Sequence, residues 1–188
     1  MLMTYVALLR GINVGGKNKL PMPQLKTLFE ALGCANVITY INTGNVVFTN
    51  SVLDTETLRL DIEQAIVDHF ECIVPVIVCT MERIQSVVAA LKDEWVNDAA
   101  QKCDVMFLWP KYDTAGVLSK LSYYPQYEDL MYVPGVIIWR VNRDRIKQGQ
   151  MLKIIGTDLY KYMTIRNVNT VRKIAALMQK ISNEVQPT

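Results

Sequence analysis

The chain has 188 residues, 51% of them apolar and 20% charged, with 20 Lys+Arg against 18 Asp+Glu and a formal net charge of +2. That composition fits one or two globular domains with enough chain to bury a core, and it excludes disordered, collagen-like and disulfide-scaffold classes. No apolar run approaches the roughly 18 residues that a membrane span needs, so no membrane partner is expected. The apolar start, Met1 to Leu9, is short, has no basic region before it and ends at Arg10, which reads as a strand and not as a leader.

Taken in chain order, Thr4 to Leu9 reads as a buried strand, followed by a Gly/Asn/Lys loop from Gly11 to Lys19. A helix follows, with Pro23 suited to its first position, Leu25, Leu28, Phe29 and Leu32 on one face and Gly33 as its stop. Val37 to Ile41 and Val46 to Thr49 are short β-rich runs around Asn42-Thr43-Gly44-Asn45, a hairpin turn. Asp54 then caps a helix bearing Leu58, Ile62, Ala65 and Ile66. Ile73 to Cys79 is a strand that Pro75 places at an edge or bulge. The order β-α-β-β-α-β over residues 1–80 is that of a ferredoxin-like split βαβ lobe.

Thr80 caps a connecting helix with Ile84, Val87, Val88 and Leu91 on one stripe, and the polar stretch from Lys92 to Lys102 is the expected linker, so 81–102 joins two lobes. In residues 103–188, Val105 to Trp109 reads as a strand and Asp113 to Leu121 as a short helix. Leu130 to Val133 and Val136 to Val141 form a second hairpin around Pro134-Gly135, and Arg145 to Ile155 and Val168 to Ile181 read as helices. Asn167 or Asn169 caps the last of these. The expected fold class is therefore α+β, two ferredoxin-like lobes in tandem. The second is irregular, repeats the element order of the first without a residue-level repeat, and has a terminal helix where a fourth strand would stand.

Charge is unevenly spread. Residues 140–188 carry ten basic and three acidic side chains, whereas 51–100 carry three basic and ten acidic. The asymmetry favours an anionic partner. Gly11 to Lys17 fits the G-x-x-x-x-G-K spacing of a phosphate-cradling loop. Asn18, however, stands where a metal-binding hydroxyl is required, and Pro21 and Pro23 break the helix that such a loop should open. What remains is an anion-binding nest beside Arg10, Lys17 and Lys19, or else a Gly-rich connection that needs unusual dihedrals and leaves its lysines solvated, with the length of the loop favouring the nest. Asn42 and Asn45 in the turn add polar groups, and Thr164-Ile165-Arg166-Asn167 before the last helix adds a helix N-terminus with Arg166 as a charged contact. Tyr123, Tyr124, Tyr127, Tyr132, Trp109 and Trp139 read as core or hairpin residues in preference to a base-stacking platform.

The catalytic inventory is thin. His69 is the only histidine, near the end of an apolar-faced helix, and no Ser lies in a G-x-S-x-G elbow, so no catalytic residue is assigned. Cys34, Cys72, Cys79 and Cys103 form no C-x-x-C pair and each sits in or beside an apolar run. They read as reduced, buried thiols of a cytoplasmic protein, with no metal and no cofactor.

The string Tyr5 to Asn18, the helix Met22 to Gly33, the segment Tyr40 to Phe48 and Met163-Thr164-Ile165-Arg166-Asn167 resemble a bacterial family known as domain of unknown function 1697. Where that family continues with an aromatic residue, this chain has Val168. The resemblance implies an α+β fold with ferredoxin-like halves and carries over no catalytic role. The function expected from the residues is binding of a phosphate-bearing ligand, a nucleic acid or a nucleotide-like molecule. Arg10, Lys17, Lys19 and Arg166 would contact phosphate, with Asn13, Asn18, Asn42, Asn45 and Asn167 as polar partners. The alternatives are an enzyme using the same loops as an anion clamp, and a protein-interaction module with no small-molecule site.

Overall fold

A computed structural model describes residues 2–16 and 18–185. The chain divides into two compact units, Met1–Gln85 with Lys173–Thr188, and Ser86–Arg172. Each unit is built on a four-stranded antiparallel sheet.

In the first unit the order is β1 (Met3–Leu9), α1 (Met22–Ala31), β2 (Ala35–Tyr40), β3 (Asn45–Asn50), α2 (Thr55–Phe70) and β4 (Val76–Thr80), with the strands arranged β2-β3-β1-β4. Tyr5, Ala7 and Leu9 lie on one face of β1 and are buried together with Leu25, Leu28 and Phe29 of α1 and Leu58, Ile62 and Ile66 of α2. The period-2 strand stripe thus meets two period-3.6 helix stripes. Local chemistry sets the boundaries. Asp54 accepts the amides of Glu56 and Thr57 at the start of α2, and Gly33, at φ +77°, ends α1 in the left-handed region open to glycine. Pro75 directly precedes the edge strand β4, and the Glu63 carboxylate of α2 accepts the first β4 amide, Val76 N–H, at 2.8 Å.

The helix α3 (Met81–Ala90) begins where β4 ends, and Thr80 Oγ1 accepts the Arg83 amide as its cap. The segment after it is not a free linker. Trp95 is buried, and Arg172 donates to the carbonyls of Trp95 and Lys92 at 2.7 and 2.9 Å.

The second unit holds β5 (Gln101–Leu108), β6 (Glu128–Val133), β7 (Val136–Asn142) and β8 (Met163–Asn167), arranged β6-β7-β5-β8. Met106, Leu108, Ile137, Trp139, Val141 and Met163 bury one face of this sheet against Val117, Met151, Ile154 and Leu159. Two helices expected here are short 3-10 turns instead: Pro110–Tyr112 and Ala115–Lys120 replace the helix over 113–121, and Arg143–Arg145 and Met151–Gly156 replace the one over 145–155. In the segment 143–156 the physical reason is capture of turn amides by a remote carboxylate, since Glu128 accepts from Gln150 N–H and Met151 N–H. The segment expected only to cap the last helix is itself the fourth strand, because Met163, Ile165 and Thr164, Arg166 alternate along β8 and pair with β5. Asn167 closes that strand and caps α4 (Val168–Val185), accepting Thr170 N–H at 2.9 Å. From Lys173 onward, α4 belongs to the first unit, so the expected lobe over 103–188 is not the unit observed. An amphipathic helix carries no mark in its sequence of which sheet it covers.

All four cysteines are free, and Cys34, Cys79 and Cys103 are buried. Burial raises all three thiols, Cys79 to about 11 and Cys103 to about 12. Thiols protonated in the fold stabilise it below the ordinary value near 9, and that stabilisation is lost as pH rises through 11 to 12. In a native thiol titration at pH 8, only the half-buried Cys72 is expected to react rapidly, and the other three only after denaturation.

Candidate functional site

Sheet register brings three segments of the first unit to one end. Leu8 pairs with Asn45 and Leu9 with Val76, so the loop leaving β1, the β2–β3 turn and the start of β4 are neighbours. Leu9 N–H donates to Gly44 O at 2.8 Å and Arg10 N–H to Pro75 O at 2.9 Å.

The loop is wound from unusual backbone. Gly11, Asn13, Gly15, Gly16 and Asn18 all have positive φ, between 46° and 75°. Asparagine and glycine are the residues that tolerate this region, which is why the stretch is built from them. Asn13 is the latch: its side-chain amide donates to Leu20 O and Asn42 O, each at 3.0 Å, and its side-chain oxygen accepts Leu20 N–H at 2.9 Å. Asn13 N–H also donates to Asn18 O, and Asn18 Nδ2 to Gly11 O. The residues expected to read a ligand therefore first hold the loop to the turn. Arg10 is half-buried, Asn18 partly exposed, and Asn13, Gly15, Gly16, Lys19 and Asn42 exposed. Lys17 lies outside the described residues. Asn45 is fully buried, at 0% exposure, and donates to Tyr40 O and Thr43 Oγ1.

Arg166 and Asn167 stand in the second unit. Arg166 is 6% exposed and donates to Thr164 Oγ1 at 3.0 Å and Ile165 O at 2.8 Å. Desolvation lowers its pKa to about 10, so it stays charged at neutral pH. Asn167 spends its side-chain oxygen on the α4 cap. Much of the basic C-terminal third is engaged by the protein itself. Arg140 bonds Gln101, Asp129 and Asn142; Arg143 bonds Asp98 O; Arg145 bonds Asp144 and Gln148; Lys161 pairs with Asp158 at 2.8 Å.

One buried acid was not singled out from the sequence. Glu128 is 3% exposed, and its two oxygens accept Trp139 Nε1–H, Met151 N–H, Tyr124 N–H and Gln150 N–H at 2.8–3.1 Å. A methyl group built on Gly149 would overlap this carboxylate, so glycine is required there by proximity. The only sequence signal was an acid opening a strand beside an aromatic-rich segment. Among the described residues, no group of three or more His, Cys, Asp or Glu is placed to hold a metal ion, and no helix is long and apolar enough to cross a membrane.

These features define a mixed α/β protein with two four-stranded antiparallel sheets, a glycine- and asparagine-built loop at one sheet end and a long C-terminal helix. The chain belongs to the family described as protein of unknown function DUF1697, whose model matches residues 2–139. Among solved structures it is similar to the conserved bacterial protein SP0830 from Streptococcus pneumoniae, with 27% sequence identity and a TM-score of 0.82, over 95% of this chain and 99% of that one. Comparison with curated proteins gave no match.

Proposed function

We propose that this protein binds a phosphate-bearing ligand, a nucleic acid or a nucleotide-like molecule, through the β1–α1 loop and the β2–β3 turn. The observation that carries the reading is the set of five positive-φ residues between Gly11 and Asn18, in a largely exposed loop that Arg10 and Lys19 flank and whose sequence includes Lys17. Backbone of this kind presents successive N–H groups to one side, as in anion-binding nests. Arg10, Lys17 and Lys19 contact phosphate, and Asn13, Asn18, Asn42 and Asn45 hold loop and turn in register around it. Arg166 supplies buried positive charge in the second unit, beside the α4 start that Asn167 caps. The strand orders β2-β3-β1-β4 and β6-β7-β5-β8 support reading both units as ferredoxin-like, the second with 3-10 turns in place of its helices. Three buried thiols support a reducing, cytoplasmic location.

The test is titration of a labelled single-stranded oligonucleotide, and of inorganic pyrophosphate, into the protein at several salt concentrations. The double variant Lys17→Ala/Lys19→Ala is expected to bind about 10-fold more weakly and to lose up to about two units of salt slope, one for each phosphate contact removed. Unchanged affinity and slope in a variant with native circular dichroism would refute the loop as the site.

A further inference from the structure

The two units repeat one arrangement at the end of the central strand. In the first, Leu9 N–H donates to Gly44 O and Arg10 N–H to Pro75 O. In the second, Leu108 N–H donates to Gly135 O at 2.9 Å and Trp109 N–H to Tyr162 O at 3.1 Å. Gly44 and Gly135 both lie in the hairpin turns, at φ +79° and +91°. Leu108, Trp109, Gly135 and Tyr162 thus occupy the topological positions of Leu9, Arg10, Gly44 and Pro75. The segment corresponding to the glycine-rich loop begins Pro110-Lys111-Tyr112, and its chemistry is aromatic and basic.

Tyr112 and Tyr162 are stacked there, with ring centroids 4.7 Å apart and planes tilted by 31°. Tyr162 is 38% exposed. The Lys111 ammonium stands 5.8 and 5.9 Å from the two ring centroids, and that of Lys120 stands 5.4 Å from Tyr112. Lys120 also lines a cleft of ≈ 280 Å³ together with Lys153, Ser122 and Thr157. Among the described residues, Lys111, Lys120 and Lys153 make no ion pair, in contrast to the neighbouring Lys161 and to Arg140 and Arg145. Two ammonium groups outside any ion pair, together with the Ser122 hydroxyl, suit a phosphate, and Lys120, over the Tyr112 ring, joins that cleft to an aromatic pair suited to a flat ring.

We propose that this cleft and the Tyr112–Tyr162 pair form a second site, distinct from the β1–α1 loop, which takes a nucleoside monophosphate. Its phosphate sits between Lys120 and Lys153, and its base lies against the tyrosine pair. One ring pair serves one base, so the ligand is a mononucleotide and not a strand tracked over several bases. The site needs no contribution from Arg10, Lys17 or Lys19.

The test is calorimetric or NMR titration of the full chain with adenosine 5′-monophosphate, adenosine and inorganic phosphate in parallel. The monophosphate is expected to bind more tightly than either fragment. Lys120→Ala/Lys153→Ala is expected to weaken it at least 10-fold with little effect on adenosine, and Tyr162→Leu to weaken both monophosphate and adenosine by about 10-fold. The comparison is repeated in the Lys17→Ala/Lys19→Ala background, which removes phosphate binding at the β1–α1 loop; there the loss caused by Lys120→Ala/Lys153→Ala is expected to persist at its full size, which separates this site from that loop. The side chains of Lys120 and Lys153 are exposed and outside the core, and thermal melts verify that these variants fold. No saturable binding of the monophosphate by the wild-type chain would overturn the proposal, as would wild-type affinity in the folded Lys120→Ala/Lys153→Ala variant. Equal affinity for phosphate and monophosphate would overturn the assignment of the tyrosine pair.

Discussion

Replacing Glu128 with alanine is expected to destabilise the second unit by about 4 kcal/mol, lowering its thermal midpoint by about 10 °C. The carboxylate is enclosed and accepts four hydrogen bonds: from the Trp139 indole on β7 and from the main chain at Tyr124, Gln150 and Met151. Truncation leaves all four donors facing a void. A buried donor that loses its partner costs roughly 1–3 kcal/mol, and water entering the space recovers part of the total. Glu128→Gln is expected to cost about half as much, since the amide keeps one oxygen but turns its NH2 toward two N–H donors. Urea unfolding followed by tryptophan fluorescence checks both, because Trp139 loses its own partner in the alanine variant. The contrast with Asp158 supplies a control. That residue pairs with Lys161 fully at the surface, and Asp158→Ala is expected to leave the urea midpoint within error of wild type. A loss below about 1 kcal/mol for Glu128→Ala would mean that the 3-10 turns of this unit are not held by the carboxylate.

The same residue explains why the second unit was harder to read from sequence than the first. In the first unit each boundary carries its own signal within a few residues: Asp54 two and three positions before the amides it caps, Gly33 at the α1 stop, Pro75 at the head of the edge strand. In the second, the path of the chain through 143–156 is fixed by an acid that lies 22 residues before the Gln150 amide it binds, and no window of local propensity contains both partners. The strand β8 was missed for another reason. Five residues that alternate apolar and polar are too few to outweigh a following helix pattern, and its pairing with β5 spans some sixty residues of sequence. The candidate loop was found because glycine and asparagine advertise left-handed backbone. The work of Asn13 as a latch was hidden, since its partners Leu20 O and Asn42 O are backbone atoms that any residue supplies. Tyr112 and Tyr162 stand fifty positions apart in sequence, and only the crossing of β5 between β7 and β8 brings them together.

The loop and the turn meet at a point where one methyl group decides the outcome. Gly44→Ala is expected to cost about 3 kcal/mol and to disorder the β1–α1 loop more than the rest of the first unit. Two independent effects add. At φ +79° an alanine pays roughly 1–2 kcal/mol for left-handed backbone. Its Cβ would also lie 2.7 Å from Leu9 Cβ and 2.8 Å from Ile12 Cδ1, and both of those side chains are fully or nearly fully buried, so neither can retreat without opening the core. The turn must then move away from β1. That motion stretches the 2.8 Å bond from Leu9 N–H to Gly44 O and, two residues back in the turn, the bond from the Asn13 side-chain amide to Asn42 O. Hydrogen exchange distinguishes this from uniform destabilisation: the amides of Leu9, Asn13 and Leu20 are expected to lose protection first, while those of α2 keep theirs. Asn13→Ala removes the latch without the steric term, so it is expected to expose the same loop amides at a smaller cost, about 1–2 kcal/mol. If Gly44→Ala lowers protection equally throughout the unit, the turn belongs to the global folding unit, and the loop is not a separately held element that a ligand could order.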